Sequence, residues 1–287
     1  METNQKPIAP NPKVVYSCYF DVARAGEHFI GEHILSYQIS GTMIMNDGDK
    51  TYVFNAGDIR FHKRNRLLKF QKMPSNGEPF RSVSIYLDQE MLKKVSIFKN
   101  ITPPACEKGD AVIELTSHPL LESYFKSLMP YENKTDQLNA HLVHLKVKEA
   151  IMILLELEPT LKDSLFDFSE PGKIDLENFM NQNFHFNVQM SRFAYLTGRS
   201  LATFKRDFQK TFQSTPSRWL LQKRLSEAYY QIKENGKAPN DVYLELGFEN
   251  LSHFSFAFKK AYGVPPSRLK QDYIRVDSHK AFMASQV

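Results

Sequence analysis

Two stretches of this chain are written in nearly the same words. Residues 208–219 read FQKTFQSTPSRW and residues 258–269 read FKKAYGVPPSRL, an offset of fifty positions. The correspondence reaches beyond the quoted words: Phe204, Phe208, Phe212 and Pro216 match Phe254, Phe258, Tyr262 and Pro266, and Ser217-Arg218 matches Ser267-Arg268. A sequence repeat implies a repeated structural unit. The three aromatics of each copy fall at i, i+4 and i+8, which places them on one side of a helix and predicts their burial.

The flanks of each copy define the unit. Ser200 precedes Leu201 and Asn250 precedes Leu251, so each helix begins behind a residue able to cap its first turn. Just upstream stand short turns with glycine, Thr197-Gly198-Arg199 and Gly247-Phe248-Glu249, and before these come short helices, about 188–196 and 240–246. Helix, tight glycine turn, capped helix is the helix-turn-helix pattern. Thr215-Pro216 and Val264-Pro265-Pro266 then place proline where a following helix would start, so a helix from Pro216 to about Lys233 joins the two units. At ~1.5 Å per residue it is roughly 25 Å long. Recognition helices on one face of DNA sit roughly 34 Å apart, a spacing that such a connector supplies within one chain. Two units in register, capped in matching places, point to double-stranded DNA as the partner.

Charge agrees. From Lys173 onward there are 17 Lys+Arg against 10 Asp+Glu, whereas the first 171 residues carry 20 against 22. One positive part joined to a near-neutral one suggests a polyanion partner for that part alone. Cys18 and Cys106 stand far apart in no metal spacing, which suits a reducing compartment. The first residues lack the apolar core of a signal peptide, and no stretch has the length and apolarity of a membrane span.

The C-terminal part, over about 173–272, resembles the AraC/XylS family of bacterial transcription regulators. The resemblance is carried by Leu196-Thr197-Gly198-Arg199-Ser200, Leu244-Glu245-Leu246-Gly247-Phe248, Ser252-His253-Phe254, the run 258–264 and Pro266-Ser267-Arg268. It implies two helix-turn-helix units joined by a long helix in a cytoplasmic regulator, most often an activator, that recruits or positions RNA polymerase.

With Leu201, Phe204, Phe208 and Phe212 turned inward, the far face of the first recognition helix carries Ala202, Thr203, Arg206 and Lys210, with Lys205 at its side. An arginine there can bond guanine bidentately, and the resemblance implies that Ala202, Lys205 and Arg206 touch DNA. The second helix presents Ser252, His253, Phe256 and Lys260, with Ser255 beside them. Phe256 occupies the place that Arg206 holds in the first copy, and two roles are open to it: packing on thymine methyls, or folding back on its own domain. Arg218 and Arg268, at the starts of the next helices, are candidates for phosphate contacts.

The first part, 14–116, has strand-favouring residues punctuated by turn signals at 46–49, 55–58 and 74–77. That pattern predicts a sandwich or small barrel. The run 55–63, NAGDIRFHK, resembles the cupin-like sensor domain of the same family. An eight-stranded barrel can hold one small ligand, and Tyr37, Tyr52, Phe54, Phe61 and Tyr86 either line it or fill the core. The metal-binding spacing of cupins, two histidines one residue apart with a downstream glutamate, is not met by His28, His33 and His62. No nucleophile-and-base set stands out, so no catalytic residue, metal or cofactor is assigned.

Residues 118–158 read as helix with a wide apolar stripe. Leu138, Leu142, Leu145, Ile151 and Leu154 of that stripe are expected to pair with a second copy, giving a homodimer; the alternative is burial of the whole stripe under the barrel. The stretch 159–172, with two prolines and a glycine, reads as a linker. The expected organisation is therefore an α+β chain: a cupin-like barrel with its dimerisation helices at 1–158, a linker at 159–172, and an all-α DNA-binding domain at 173–287. A small molecule or a protein antagonist acting on the first domain would control the second. The competing reading is a ligand-binding or enzymatic barrel whose helical tail serves assembly only.

Overall fold

A computed structural model of the chain describes residues 14–20, 24–75, 77–101, 109–132 and 139–269, omitting the side chains of 24 and 25. The chain divides into two compact units, Met1–Glu170 and Pro171–Val287.

In the first unit the period-two alternation of the sequence becomes two antiparallel sheets. Strands β1 (Val14–Tyr19), β8 (Phe80–Leu87), β3 (His33–Ser40), β6 (Ile59–His62) and β9 (Val112–Leu115) form one sheet in that spatial order. Strands β2 (Arg24–Ile30), β7 (Arg66–Met73), β4 (Thr42–Asn46) and β5 (Thr51–Phe54) form the other. The expected barrel is thus opened into two sheets. The chain changes sheet between β3 and β4 at Gly41, where φ is +75° and an added Cβ would lie 2.5 Å from the Met73 carbonyl oxygen. The register of β3 against β8 also slips between Gln38 and Ser40, and such an irregularity bends a strand out of one sheet toward another.

Alternation assigns the faces. Leu35, Ile59, Phe61, Val83, Ile85 and Leu87 of the five-stranded sheet pack on helices α1 (Gln89–Phe98), α2 (Pro119–Leu128) and α3 (Ala140–Leu157). Their neighbours one residue away face the four-stranded sheet, where Met43, Met45, Tyr52, Phe54 and Leu68 make a second cluster. Residues 159–166 are part of this unit and not a linker. Pro159 opens a 3-10 turn, Pro159–Leu161, that runs into α4 (Lys162–Leu165), and Leu161, Leu165 and Phe166 are buried in the helix-covered core.

The second unit is helical: α5 (Leu176–Asn183), α6 (Met190–Leu196), α7 (Leu201–Phe212), α8 (Pro216–Lys233), α9 (Pro239–Glu245) and α10 (Leu251–Tyr262). Proline at the first position opens α8 and α9, where its missing N–H costs nothing. The two recognition helices end alike, in a left-handed residue: Gly263 with φ +78° after α10, but Gln213 with φ +51° after α7. A non-glycine residue is strained there. Gln213→Gly should therefore stabilise the unit by about 0.5–1 kcal/mol, seen as a higher midpoint in denaturant. A lower midpoint would show that the Gln213 side chain, which donates to the Lys210 carbonyl at 2.9 Å, outweighs the strain.

Candidate nucleic-acid interface

The two copies of the repeat fold into two helix-turn-helix units, α6–α7 and α9–α10, with α8 between them. At ~1.5 Å per residue the 18 residues of α8 span about 27 Å. Ser200 accepts from the Thr203 N–H at 3.2 Å and Asn250 from the His253 N–H at 2.8 Å, so both recognition helices carry side-chain caps. The aromatic spine lies on the inner side. Phe204, Phe208, Phe254 and Phe258 are fully buried. Phe208 and Phe212 pack on Trp219 of α8, and Phe258 and Tyr262 pack on Tyr229 of the same helix.

The turns fix the helix pairs by backbone approach. Gly198 has φ +65°, and an added Cβ would lie 2.4 Å from the Gly172 carbonyl oxygen. Gly247 has φ +77°, and its Cβ would lie 2.4 Å from that of His185. Each turn is also held by an arginine. Arg199 donates to the carbonyls of Thr197 and Ile174 at 2.7 and 3.0 Å and pairs with Asp207 at 3.2 Å. Its hydrogen bond, with Lys173 and Arg206 nearby, holds the Asp207 carboxyl below the usual range. Arg224 of α8 donates to the carbonyls of Phe184, Phe186 and Gly247 at 2.8, 2.8 and 2.9 Å. Neither arginine is among the residues assigned from the sequence. The available signal for Arg224 is position: it lies four residues from both Leu220 and Ala228, which are buried on the same helix.

The outer faces are open. Ala202, Lys205, Arg206 and Lys210 of α7 are exposed and Thr203 is half-buried; Leu201, expected inside, is exposed. Arg206 lies 3.5 Å from Asp207 in a solvent-facing pair, which costs little to open. On α10, Ser252, His253, Phe256 and Lys260 are exposed and Ser255 is half-buried. Phe256 is 71% exposed and does not fold back on its domain. Arg218 and Arg268 are exposed as well.

The candidates in the first unit separate differently. Phe61 and Tyr37 face the helices, stacking on His33 and Phe125. Tyr52 and Phe54 are buried in the inter-sheet cluster. Only Tyr86 of the five borders a cavity of about 140 Å³ between the sheets. The dimerisation stripe also divides. Ile151 and Leu154 are 0% exposed, packed in their own core, Leu142 is half-buried, Leu145 is 64% exposed, and Leu138 lies outside the described residues. Among the described residues no group of three or more His, Cys, Asp or Glu is placed to hold a metal ion, and no helix is long and apolar enough to cross a membrane.

A regulatory β unit followed by two helix-turn-helix units on a shared helix defines a class: a sequence-specific DNA-binding transcription regulator. Comparison with known proteins agrees. The family model of the ExsA N-terminal regulatory domain matches residues 33–163, and that of a helix-turn-helix domain matches residues 193–272. Together the two matches support an AraC-family regulator with an N-terminal regulatory domain. It is 22% identical to the HTH-type transcriptional regulator ExsA of Pseudomonas aeruginosa over 261 residues, 90% of this chain and 93% of that protein. It is 26% identical to the thermoregulatory protein LcrF of Yersinia pestis over 155 residues, 53% of this chain and 56% of that one. A crystal structure of apo ToxT from Vibrio cholerae, carrying one lysine-to-alanine substitution, aligns over 91% of this chain and 97% of that one, at 14% identity and a TM-score of 0.43.

Proposed function

We propose that α7 and α10 enter successive major-groove segments on one face of DNA, with Ala202, Thr203, Lys205, Arg206 and Lys210 at the first segment and Ser252, His253, Ser255, Phe256 and Lys260 at the second. Arg218 and Arg268 hold phosphates. The observation that carries this reading is the pair of capped, matched recognition helices on the two sides of α8, each with its polar or basic face exposed. The first unit, residues 1–170, regulates the second, residues 171–287, through a small effector or a protein antagonist. The protein acts in the cytoplasm as an activator that positions RNA polymerase, as a dimer formed on the outer face of α3. The relatives' names support activation: VirF of Yersinia enterocolitica is a virulence regulon transcriptional activator.

Gel shifts with selected genomic fragments at two salt concentrations test the DNA reading, since phosphate contacts make affinity fall steeply with salt. Arg206→Ala should cost about 1–3 kcal/mol and relax specificity at one base position; an equal loss on every sequence would assign Arg206 to phosphate instead. Phe256 makes a separate prediction. Replacing a thymine in the second half of the site by uracil removes one methyl group, and binding should weaken there if the ring packs on it. Unchanged affinity at every thymine tested would take Phe256 out of base recognition.

A further inference from the structure

The inner face of the five-stranded sheet is polar where a sandwich core is ordinarily apolar. Ser36, Gln38, Arg60, Ser82 and Ser84 point between the sheets; Ser36, Gln38, Arg60 and Ser82 are buried and Ser84 is half-buried. Register aligns three of them. Ser36 lies directly opposite Arg60 on β6 and opposite Ser84 on β8, so the three side chains form one cross-strand row, neighbours being about 5 Å apart at Cβ. The next row places His62 opposite Ile34.

Arg60 is 1% exposed, and the Asp58 carboxylate that acts on its charge does not pair with it. One Nη donates to the Gln38 amide oxygen at 3.1 Å and the guanidinium stacks over the Phe54 ring at 5.1 Å, while Nε has no hydrogen-bond partner. No ion pair to Arg60 is formed among the described residues. Burial lowers its pKa to about 10, which leaves it protonated at neutral pH. His62 is buried beside it with Nδ1 unpartnered, and burial together with the Arg60 charge keeps the imidazole neutral. A buried guanidinium that forms no ion pair among the described residues, with Asp58 acting on it only at a distance, and a buried ring nitrogen without a partner are both costly. Both residues border the 140 Å³ cavity, together with Ser36, Ser84 and Lys72. No Asp or Glu lines it, and the opposite wall is made of Ile30, Met43, Met45 and Phe70.

We propose that this cavity is a binding site for a compact monocarboxylate, its carboxylate held by Arg60 with the Ser36–Ser84 pair and its apolar body against Met43 and Met45. The guanidinium fork matches a carboxylate, and the facing methionines supply a soft, adaptable wall. Volume sets the size. A cavity of about 150 Å³ accommodates benzene, so the part of the ligand held inside has roughly six to ten non-hydrogen atoms. The inference deepens the reading of the first unit as the regulatory one, and rests on it for the consequence that occupancy is passed to the DNA-binding unit.

The test uses the full chain with benzoate, pentanoate and 2-hydroxybenzoate as probes, each against its uncharged amide, by calorimetric titration and by melting. At least one carboxylate should bind saturably at one site per chain, raise the melting temperature, and bind ten or more times tighter than its amide. Arg60→Met should remove that preference, and Ser84→Phe, which fills the space but keeps the arginine, should remove binding altogether. In the wild type the ¹³C-methyl signals of Met43 and Met45 should move on titration. No saturable binding up to 10 mM (roughly the weak limit for so small a ligand), amides as good as acids, or shifts confined to other methyls would each overturn the proposal, whether or not the variants fold. A gel shift on the same preparation separates the failures: intact DNA binding without carboxylate binding removes this inference alone.

Discussion

Gly247→Ala should cost the C-terminal unit about 3 kcal/mol or more. Holding an alanine in the left-handed region costs roughly 1–2 kcal/mol. The larger part comes from position: the new Cβ would lie 2.4 Å from the backbone oxygen of His185 and 3.3 Å from the Arg224 guanidinium carbon. Neither backbone can yield without moving the carbonyls on which Arg224 is bonded three times. Charge-assisted hydrogen bonds contribute about 1.5–3 kcal/mol each when lost, so a shift that breaks one of them adds a loss at least comparable to the glycine effect itself. Trp219 is the chain's single tryptophan, packed on Phe208 and Phe212 within this unit. Its fluorescence therefore reports the unfolding of the second unit inside the intact protein. A denaturation midpoint within experimental error of wild type would show that the turn relaxes freely and that the arginine bonds do not define it. Arg224→Met, which leaves the glycine in place, should reproduce most of the loss.

The contrast between the two halves in how much the sequence reveals has a physical origin. Everything that marks a helix-turn-helix unit is local. The cap and the N–H it accepts are three residues apart, the aromatic spine repeats every four, and the glycine and proline act on the turns in which they stand. Local signals survive without knowledge of the partner, and the fifty-residue repeat states each of them twice. A sheet is different. Alternation says that Leu35 and Ser36 face opposite ways, but which face meets helices and which meets another sheet depends on strands far off in sequence. Aromatic residues were the natural candidates for a ligand wall, yet Tyr37 and Phe61 lie on the helix side. The polar set one residue out of step, Ser36 and Arg60, borders the cavity instead. The stretch at 159–166 misled for a related reason. Proline breaks an ongoing helix but is also well suited to the first turn of a new one, and only the burial of Leu161, Leu165 and Phe166 distinguishes the two uses.

The apolar stripe of α3 makes the second large prediction, because it serves two different surfaces. Leu154 and Ile151 are sealed within the core under the five-stranded sheet. Leu154→Ala should therefore cost about 2–5 kcal/mol, the transfer of the lost methyl groups plus the cavity left behind, and would lower the melting temperature of the first unit whatever the state of assembly. Leu145 stands on the opposite side of the same helix, 64% exposed, while Ile97 and Phe98 at the end of α1 are 77% and 70% exposed. Leu145→Glu should leave the melting temperature almost unchanged, because the new carboxylate stays in water. If this face pairs with a second copy, the same substitution places an unpaired charge in the seam, and sedimentation should shift the protein from dimer to monomer. Affinity for tandem sites should then fall by ten-fold or more through lost avidity, while a single site is bound as before. A wild type that sediments as a monomer at tens of micromolar would remove the dimer. A Leu145→Glu variant that remains dimeric would move the seam to another face. Only Leu154→Ala tests the core itself, and a melting temperature unchanged by that substitution would contradict the packing of α3 on the sheet.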